Sequence, residues 1–275
     1  MDIYSIARKQ NGAIVWSEDQ VKYILSEYKN GSTIASLSKK FTASPSAIRA
    51  LLRKNKIQLR GNKQGFERNE NYFQDISSPD KAYWLGFLYA DGCVHKKTNT
   101  ISISSIDKEH LEKFRDAIGA KNKIVSSIDN RFSKPATIYQ FALKDKKLKE
   151  DLIRHGCTPQ KTLTINSIPN IPRNYISHFI RGYYDGDGSL HFLNGSKNFR
   201  FSLLGNKSFL EEVQKEIGTS VSIAQGTGKA MYFQIAGRHQ VPRILNYLYK
   251  DSHEKIRLDR KYNKYQECLK WAHRH

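Results

Sequence analysis

The sequence predicts an α+β fold in which two copies of an αββαββα unit follow a small all-α domain. Two features of the chain lead to this prediction. A series of helix and strand patterns occurs twice after residue 80, with its copies 96 residues apart, a spacing typical of a duplicated domain rather than a solenoid. The first 61 residues carry three short apolar patterns at helical spacing. We therefore expect a helical domain at 1–61, a linker at 62–80, and repeated units at 81–170 and 171–275.

Three helices are predicted in the first domain. Ser17 precedes the first, Ser32 starts the second, and Ser44-Pro45 provides an N-cap and a first-turn proline for the third. The short turn before the third helix resembles that of helix-turn-helix DNA-binding domains. A plain three-helix packing unit with solvated basic residues is the alternative. In the DNA-binding interpretation, the third helix presents four side chains to a major groove: Ser46, Arg49, Arg53 and Lys54.

Residues 62–80 are polar and contain turn-forming residues, which favours a linker. Each repeated unit after it reads helix, strand, strand, helix, strand, strand, helix. The second helix of each unit ends in a glycine, at Gly119 in one copy and Gly218 in the other. The repeat therefore predicts two similar α+β halves.

The first helix of each unit is apolar, contains a glycine and ends in Asp-Gly. Glycine inside a helix costs about 1 kcal/mol relative to alanine, so Gly86 and Gly182 indicate two helices that pack closely at these positions. The glycines after the aspartates are expected to end the helices in the left-handed conformation.

Close packing of these helices would bring Asp91 and Asp187 together at the helix C-termini. Negative charge is unfavourable there because of the helix dipole, and two carboxylates make it more so. A bound cation would relieve the repulsion. Mg²⁺ is favoured because it prefers oxygen ligands, and paired metal sites beside phosphates suit phosphodiester cleavage.

Composition also points to nucleic acid. The chain has a net charge of +20 and 39% hydrophobic residues, enough apolar content for folded cores. The charge is spread along the chain, which favours a nucleic acid over a membrane surface. There is no run of about 18 apolar residues, no signal-peptide pattern, and the three cysteines are too far apart for a disulfide framework or zinc site. We expect a cytoplasmic protein of prokaryotic or phage context, or an organellar one, that is not secreted.

The two glycine-containing segments, 83–92 and 179–188, resemble the LAGLIDADG motifs of homing endonucleases. The resemblance covers nearly all of residues 81–275. The second copy is the closer match; the first departs at Tyr89, where the pattern usually has an acidic residue. The family implies a single-chain, pseudo-twofold pair of units whose sheets form a saddle over the DNA major groove. Each centre is then expected to cut one strand, leaving short 3′ overhangs.

The resemblance implies that Asp91 and Asp187 bind two or three divalent ions, with the backbone carbonyls of Ala90 and Gly186 contributing. Mg²⁺ is the expected cofactor. Mn²⁺ should substitute for it, whereas Ca²⁺ should support DNA binding but poorly support cleavage. A basic residue often assists in this family: Lys161 occupies the matching place before the second motif, and Lys255 is the weaker counterpart in the second unit. Phosphate contact or plain surface charge is the alternative for either lysine.

Alternation along the predicted strands indicates which side chains face DNA, because neighbouring residues point to opposite faces of a sheet. The residues expected on that face are Ser102, Ser104, Gln140, Arg200, Ser202 and Gln234. A solvated sheet face is the alternative. Since the halves differ at these positions, we expect a long, asymmetric double-stranded DNA target bound by a monomer that needs no protein partner.

The leading hypothesis is thus a site-specific DNA endonuclease. A catalytically inactive transcription regulator on the same fold should have lost the metal aspartates, and both are present. An intron RNA maturase stays open as an added activity. An intein is disfavoured, because inteins begin with Cys or Ser and end with Asn, whereas this sequence begins at Met1 and ends at His275.

Overall fold

The computed structural model describes residues 3–8, 12, 14–30, 32–57, 59, 68–130, 135–159, 165–195, 197–226, 228 and 230–274. The chain divides into two units, Met1–Gly65 and Phe66–His275. Each unit has a hydrophobic core of its own. No helix among the described residues is long and apolar enough to cross a membrane.

The first unit contains three helices, α1 (Glu18–Lys29), α2 (Ile34–Lys40) and α3 (Pro45–Lys54). Before them lies a short antiparallel hairpin of β1 (Ala7–Arg8) and β2 (Ile14–Val15), so the prediction of an all-α domain is wrong in this respect. Ser17 caps α1 in a capping box and Ser44 caps α3, as expected, whereas Thr33 rather than Ser32 caps α2. Leu37 and Ile48 are fully buried between the helices.

The predicted linker at 62–80 is wrong for its second part, since the chain packs into the core of the second unit well before residue 80. Tyr72, Phe73 and Ile76 are buried in that core. The Asn69 N–H donates to the Ile118 carbonyl over 2.8 Å. Burial of large aromatic side chains stabilises this stretch although its surroundings in the sequence are polar.

The first half of the second unit follows the predicted order of elements. Its helices are α4 (Pro79–Asp91), α5 (Lys108–Ala117) and α6 (Lys146–Arg154). Its strands are β3 (Gly92–Val94), β4 (Thr100–Ser105), β5 (Val125–Asp129) and β6 (Ala136–Lys144). They form an antiparallel sheet in the order β3-β4-β6-β5.

The second half repeats this order and adds a C-terminal helix. Its helices are α7 (Ile176–Asp187), α8 (Lys207–Ile217), α9 (Gln240–Tyr249) and α10 (Asp259–Arg274). Its strands are β7 (Gly188–Leu193), β8 (Asn198–Gly205), β9 (Ala224–Gln225) and β10 (Met231–Ala236), in the sheet order β7-β8-β10-β9. The same strand order therefore occurs twice.

Helices α4 and α7 pack against each other at their glycines. A Cβ added to Gly86 would lie 1.9 Å from the Phe179 carbonyl oxygen, and one added to Gly182 would lie 2.0 Å from the Tyr83 carbonyl oxygen. Only a residue without a side chain fits at such backbone contacts. One apolar core continues across both halves around this helix pair.

The glycines that follow the two aspartates are not left-handed, so that expectation is wrong. Gly92 has φ −71° and Gly188 has φ −91°, both in extended backbone. They begin β3 and β7, and lack of space explains the residue type: a Cβ on Gly92 would lie 2.6 Å from the Leu88 carbonyl oxygen. Left-handed glycines do follow α5 and α8, at Gly119 and Gly218.

Candidate functional site

The ends of α4 and α7 bring the two motif aspartates to one place. Each helix ends at its aspartate, and the following glycine starts a strand. A Cβ built on Gly186 would lie 2.2 Å from the Ala90 Cβ and 3.3 Å from Asp91 Oδ2. Asp91 is exposed and Asp187 is half-buried. The Asp91 carboxylate therefore lies beside the end of α7, and neither aspartate is fully buried.

The donors at these helix ends fit a divalent ion that prefers oxygen. Two carboxylates are present, and the carbonyls of Ala90 and Gly186 belong to the same helix ends. Among the residues that the structure describes, no group of three or more His, Cys, Asp and Glu side chains could hold a metal. Such a sparse set suits Mg²⁺, which usually keeps several waters and binds through one or two carboxylates together with substrate phosphates.

Tyr183 lies against the same carboxylates. Its hydroxyl donates to the Leu204 carbonyl over 3.0 Å. Burial raises the pKa of Tyr183 well above its usual value, and the charges of Asp187 and Asp91 raise it further. Tyr183 therefore stays neutral beside the two aspartates.

Sequence reasoning missed Lys261, at the start of α10, which contacts the end of α7. Its ammonium donates to the carbonyls of Tyr184 and Gly188 over 2.6 Å each and lies 3.5 Å from the Gly186 carbonyl oxygen. Only 5% of the residue is exposed. A cation at a helix C-terminus is favourable, and here it offsets the charge of the neighbouring aspartates.

Burial lowers the pKa of Lys261 to about 8, while the charges of Asp185, Asp91 and Asp187 act in the opposite direction. The direct contacts of Lys261 are with the end of α7 and the start of β7. The sequence carries no clear signal for it, because it lies on an amphipathic helix among other basic residues.

Asp185, two residues before Asp187, is only 1% exposed. Its carboxylate accepts hydrogen bonds from the Tyr83 hydroxyl over 2.7 Å, from the Leu258 N–H over 2.8 Å and from the Tyr249 hydroxyl. Burial raises the pKa of Asp185, and the charge of Lys261 and the hydrogen bonds lower it. The network joins the two halves, since Tyr83 lies on α4.

Of the two lysines predicted to assist the chemistry, the structure describes one. Lys161 lies outside the described residues. Lys255 is exposed in a 3-10 turn, Glu254–Ile256. The described contact with the end of α7 is made by Lys261, six residues further on, and not by Lys255.

On the first sheet, the residues predicted to face DNA are only partly accessible. Ser104 and Gln140 are exposed and lie opposite each other on β4 and β6. Ser102 lies on the same face of the sheet as Ser104, as expected, but it is only 6% exposed. The His95 ring covers it, with Nε2 3.0 Å from Ser102 Oγ. His95 is exposed, and so is Cys93, which lies opposite Ser102 on β3.

On the second sheet, the alternation is as expected: Phe199, Phe201 and Leu203 are buried, whereas Arg200 and Ser202 are half-exposed. Gln234 is exposed and lies opposite Ser202.

His191 lies opposite Arg200 on β7 and was also missed from the sequence. A signal was available, because the pattern Asp-Gly-x-x-His occurs twice, at residues 91–95 and 187–191. Both histidines are exposed: His191 lies on β7, the first strand of its sheet, and His95 directly follows β3.

In the first unit, the predicted face of α3 is accessible. Its four side chains, Ser46, Arg49, Arg53 and Lys54, are all exposed. The buried residues of this helix, Ile48, Leu51 and Leu52, lie on the opposite side.

Residues 78–155 match the family model of a LAGLIDADG-like domain, a range that runs from the N-cap of α4 to the end of α6. No curated protein matches the chain.

Several solved structures are similar. The LAGLIDADG homing endonuclease I-GzeII in complex with DNA target is 15% identical, with 71% of this chain and 89% of that chain covered and a TM-score of 0.49. Meganuclease I-SmaMI bound to uncleaveable DNA is 14% identical, with 71% and 90% covered and a TM-score of 0.47. LAGLIDADG meganuclease I-AabMI bound to uncleaved DNA is 15% identical, with 71% and 90% covered and a TM-score of 0.44.

Proposed function

We propose that this chain is a metal-dependent, site-specific DNA endonuclease of the LAGLIDADG homing type. The observation that carries the proposal is the pair of Asp-terminated helices, α4 and α7, packed at Gly86 and Gly182 so that Asp91 and Asp187 lie together. The LAGLIDADG-like match of residues 78–155 and the net charge of +20 support it. A basic protein attracts the phosphate backbone through release of condensed counterions.

In this proposal Asp91 and Asp187 hold Mg²⁺, with the carbonyls of Ala90 and Gly186 as further ligands. A bound divalent ion supplies a more acidic water and stabilises charge on the phosphate. Lys261 offsets the negative end of α7. The exposed faces of the two sheets bind DNA, through Ser104 and Gln140 on one side and Arg200, Ser202 and Gln234 on the other. Because these sets differ, the target is asymmetric, and each centre cuts one strand to leave a short 3′ overhang.

Cleavage of a randomised DNA target library with Mg²⁺ tests the proposal. The unaltered protein should cut both strands, and Mn²⁺ should replace Mg²⁺. Asp91→Asn and Asp187→Asn should each abolish double-strand cutting, because each removes a charged metal ligand. Binding measured in Ca²⁺ should survive in both variants.

Asp116→Asn is the matched control, since Asp116 is an exposed carboxylate on α5 that pairs with Arg115. It should cut at the unaltered rate. Unchanged cleavage in both motif variants would contradict the assignment of the centre. Tight, sequence-specific binding without cleavage by the unaltered protein would indicate a DNA-binding regulator instead.

We also propose that the first unit adds DNA contacts through the exposed face of α3. The double variant Arg49→Ala/Arg53→Ala should weaken binding and lower the slope of log affinity against log salt by about 2, since each phosphate contact contributes about 0.9. The control is Lys22→Ala/Lys29→Ala, which removes the same charge from exposed positions on α1. Equal slopes for the two double variants would show that α3 has no special role.

A further inference from the structure

Six consecutive residues ahead of and at the start of α10 are each held by a contact from another element. We call this segment, residues 256–261, the strap. Arg181 Nε donates to the Ile256 carbonyl over 3.0 Å, and Lys113 Nζ donates to the Arg257 carbonyl over 3.2 Å. The Leu258 N–H donates to Asp185 Oδ2 over 2.8 Å, and Asp259 Oδ2 accepts from Lys113 Nζ over 2.7 Å. Arg260 Nε donates to Asp107 Oδ2 over 2.8 Å, and Lys261 Nζ donates to the carbonyls of Tyr184 and Gly188.

The partners of the strap come from both halves. Asp107 is the N-cap residue of α5 and Lys113 lies on the same helix, so the first half holds Asp259 and Arg260 through two ion pairs. Arg181 and Asp185 lie on α7 and hold the strap from the second half. Lys261 therefore cannot shift along the end of α7 unless several of these contacts break.

Asp185 is the buried centre of this arrangement. Its Oδ2 accepts from both Tyr83 on α4 and the Leu258 N–H, and its Oδ1 accepts from Tyr249 on α9. Three donors on one buried carboxylate need a group that only accepts. An asparagine has a single acceptor oxygen and presents an NH₂ group to one of the donors, so it cannot satisfy all three.

The first half differs from the second at the position of Asp185. Tyr89, three residues after Gly86, occupies the position that Asp185 occupies after Gly182. Its hydroxyl donates to the His155 carbonyl, and it packs against Gly156, where an added Cβ would lie 2.2 Å from the tyrosine oxygen. A neutral side chain thus stands in the first half where the second half has the buried carboxylate.

We propose that Asp185 is a positioning residue for one of the two cleavage centres. Through Leu258 and the strap it sets Lys261 against the end of α7 beside Asp187. Cleavage of one DNA strand then depends on Asp185, and cleavage of the other strand does not. This inference rests on the proposed endonuclease function and adds the prediction that the two centres respond unequally to the same substitution.

The test follows each strand of one cleavable duplex, labelled separately, with Mg²⁺ and the full-length protein. Asp185→Asn should slow cleavage of one strand by about tenfold or more, the usual order for loss of a hydrogen bond to a buried charge, and leave the other strand within about twofold of the unaltered rate. Tyr249→Phe removes one donor and keeps the carboxylate, so it should shift the same strand in the same direction by less. It serves as the test if Asp185→Asn does not fold.

The control is Asp151→Asn. Asp151 is another buried carboxylate, on α6, which pairs with Lys147 and Arg154 away from the strap. It should change thermal stability without changing the ratio of the two strand rates. Equal slowing of both strands by Asp185→Asn, or no slowing, would overturn the proposal.

Amide hydrogen exchange separates this inference from the endonuclease assignment. The Leu258 amide should exchange faster in Asp185→Asn than in the unaltered protein, and Asp151→Asn should leave it unchanged. If the unaltered protein cuts neither strand, the endonuclease assignment fails, and the exchange result still decides whether Asp185 holds the strap. An unchanged Leu258 amide in Asp185→Asn would refute that link.

Discussion

Helices α4 and α7 share one backbone arrangement and differ in most of their side chains. Both contain the glycine at the helix contact, and both end in the aspartate that reaches the shared site. Around these positions α4 carries Leu85, Leu88 and Tyr89, where α7 carries Arg181, Tyr184 and Asp185. The two helices thus have in common the close backbone contact and the terminal carboxylate, and they differ in the side chains around these positions.

The differing side chains of each helix hold the chain around the end of the third helix of their half, but they do so with different chemistry. With buried charges, Arg181 contacts the Leu248 carbonyl in α9 and the Ile256 carbonyl after it, and Asp185 contacts the Leu258 N–H. In the first half, the residues directly after α6 are held by the Tyr89 hydroxyl and by the Cys157 thiol, whose sulfur lies 3.6 Å from the Leu88 carbonyl oxygen. Buried charge has a desolvation cost that the neutral contacts avoid, so the second half should be the more sensitive to substitution.

The largest effect is expected where the helices are alike. Gly86→Ala and Gly182→Ala each place a Cβ within 2.0 Å of a backbone carbonyl oxygen, and backbone cannot move aside cheaply. Each should lower the free energy of unfolding by about 3 kcal/mol or more, measured by denaturant unfolding. Similar losses at both positions are expected, because the contact is reciprocal.

Gly195→Ala is the control for these variants. It lies in the turn after β7, and an added Cβ there has no atom within 4 Å. The substitution should change stability by less than about 0.5 kcal/mol. A loss at Gly86 no greater than at Gly195 would show that the helices can separate without cost.

A smaller effect is expected where the helices differ, at Arg181. Arg181→Leu gives α7 the residue that α4 has at the matching position, Leu85. It leaves two buried carbonyls without their donor, but it also removes Nη2, which has no hydrogen-bond partner in the interior. We expect a net loss of about 2 kcal/mol in the free energy of unfolding.

Leu85→Met is the matched variant on α4. It conserves volume in an apolar position and should cost less than about 1.5 kcal/mol. If Arg181→Leu instead stabilised the protein, the buried arginine would have to be explained by function and not by folding.

Much of this fold could be predicted from the sequence because its information is local or repeated. The caps at Ser17 and Ser44 lie next to the helices they start, and the repeat in the second unit shows the order of elements. A glycine inside an apolar helix indicates that another helix packs closely there, and this inference does not depend on the rest of the fold. The two aspartates follow from the same pattern.

The parts that could not be predicted depend on contacts between distant residues. Lys261 donates a hydrogen bond to the carbonyl of Tyr184, which lies 77 positions away. No pattern of residue spacing in the sequence predicts a contact over that separation. Ser102 follows the alternation of its strand, but the side chain of His95 covers it. Tyr72 and Phe73 lie in a polar stretch whose composition conceals that it packs into a core.

The smallest effect concerns a position where α5 and α8 differ. His110 is the third residue of α5, and Phe209 is the third residue of α8. The His110 ring lies 4.6 Å from the Phe87 ring, and the Phe209 ring lies 4.5 Å from the Tyr183 ring. Because the Tyr83 hydroxyl donates its hydrogen bond to Asp185, its oxygen accepts one from Nε2 of His110, over 3.1 Å.

Burial lowers the pKa of His110 from 6.5 to about 3, with the cations Lys113, Arg260 and Lys261 acting in the same direction. Between these pH values His110 is protonated in the unfolded chain and neutral in the folded chain, so the free energy of unfolding falls as the pH falls. The slope from this residue is about 1.4 kcal/mol per pH unit below its unfolded pKa. His110→Phe should remove that slope between about pH 6 and pH 4 and change stability at pH 7 by less than about 1.5 kcal/mol.

Unfolding curves over this range measure the effect, with His273→Gln, an exposed histidine on α10, as the control. The control should keep the acid sensitivity of the unaltered protein. If His110→Phe kept it as well, the histidine would be protonated in the folded state, and its hydrogen bond to Tyr83 would have to accommodate a buried charge within the network that joins the two halves.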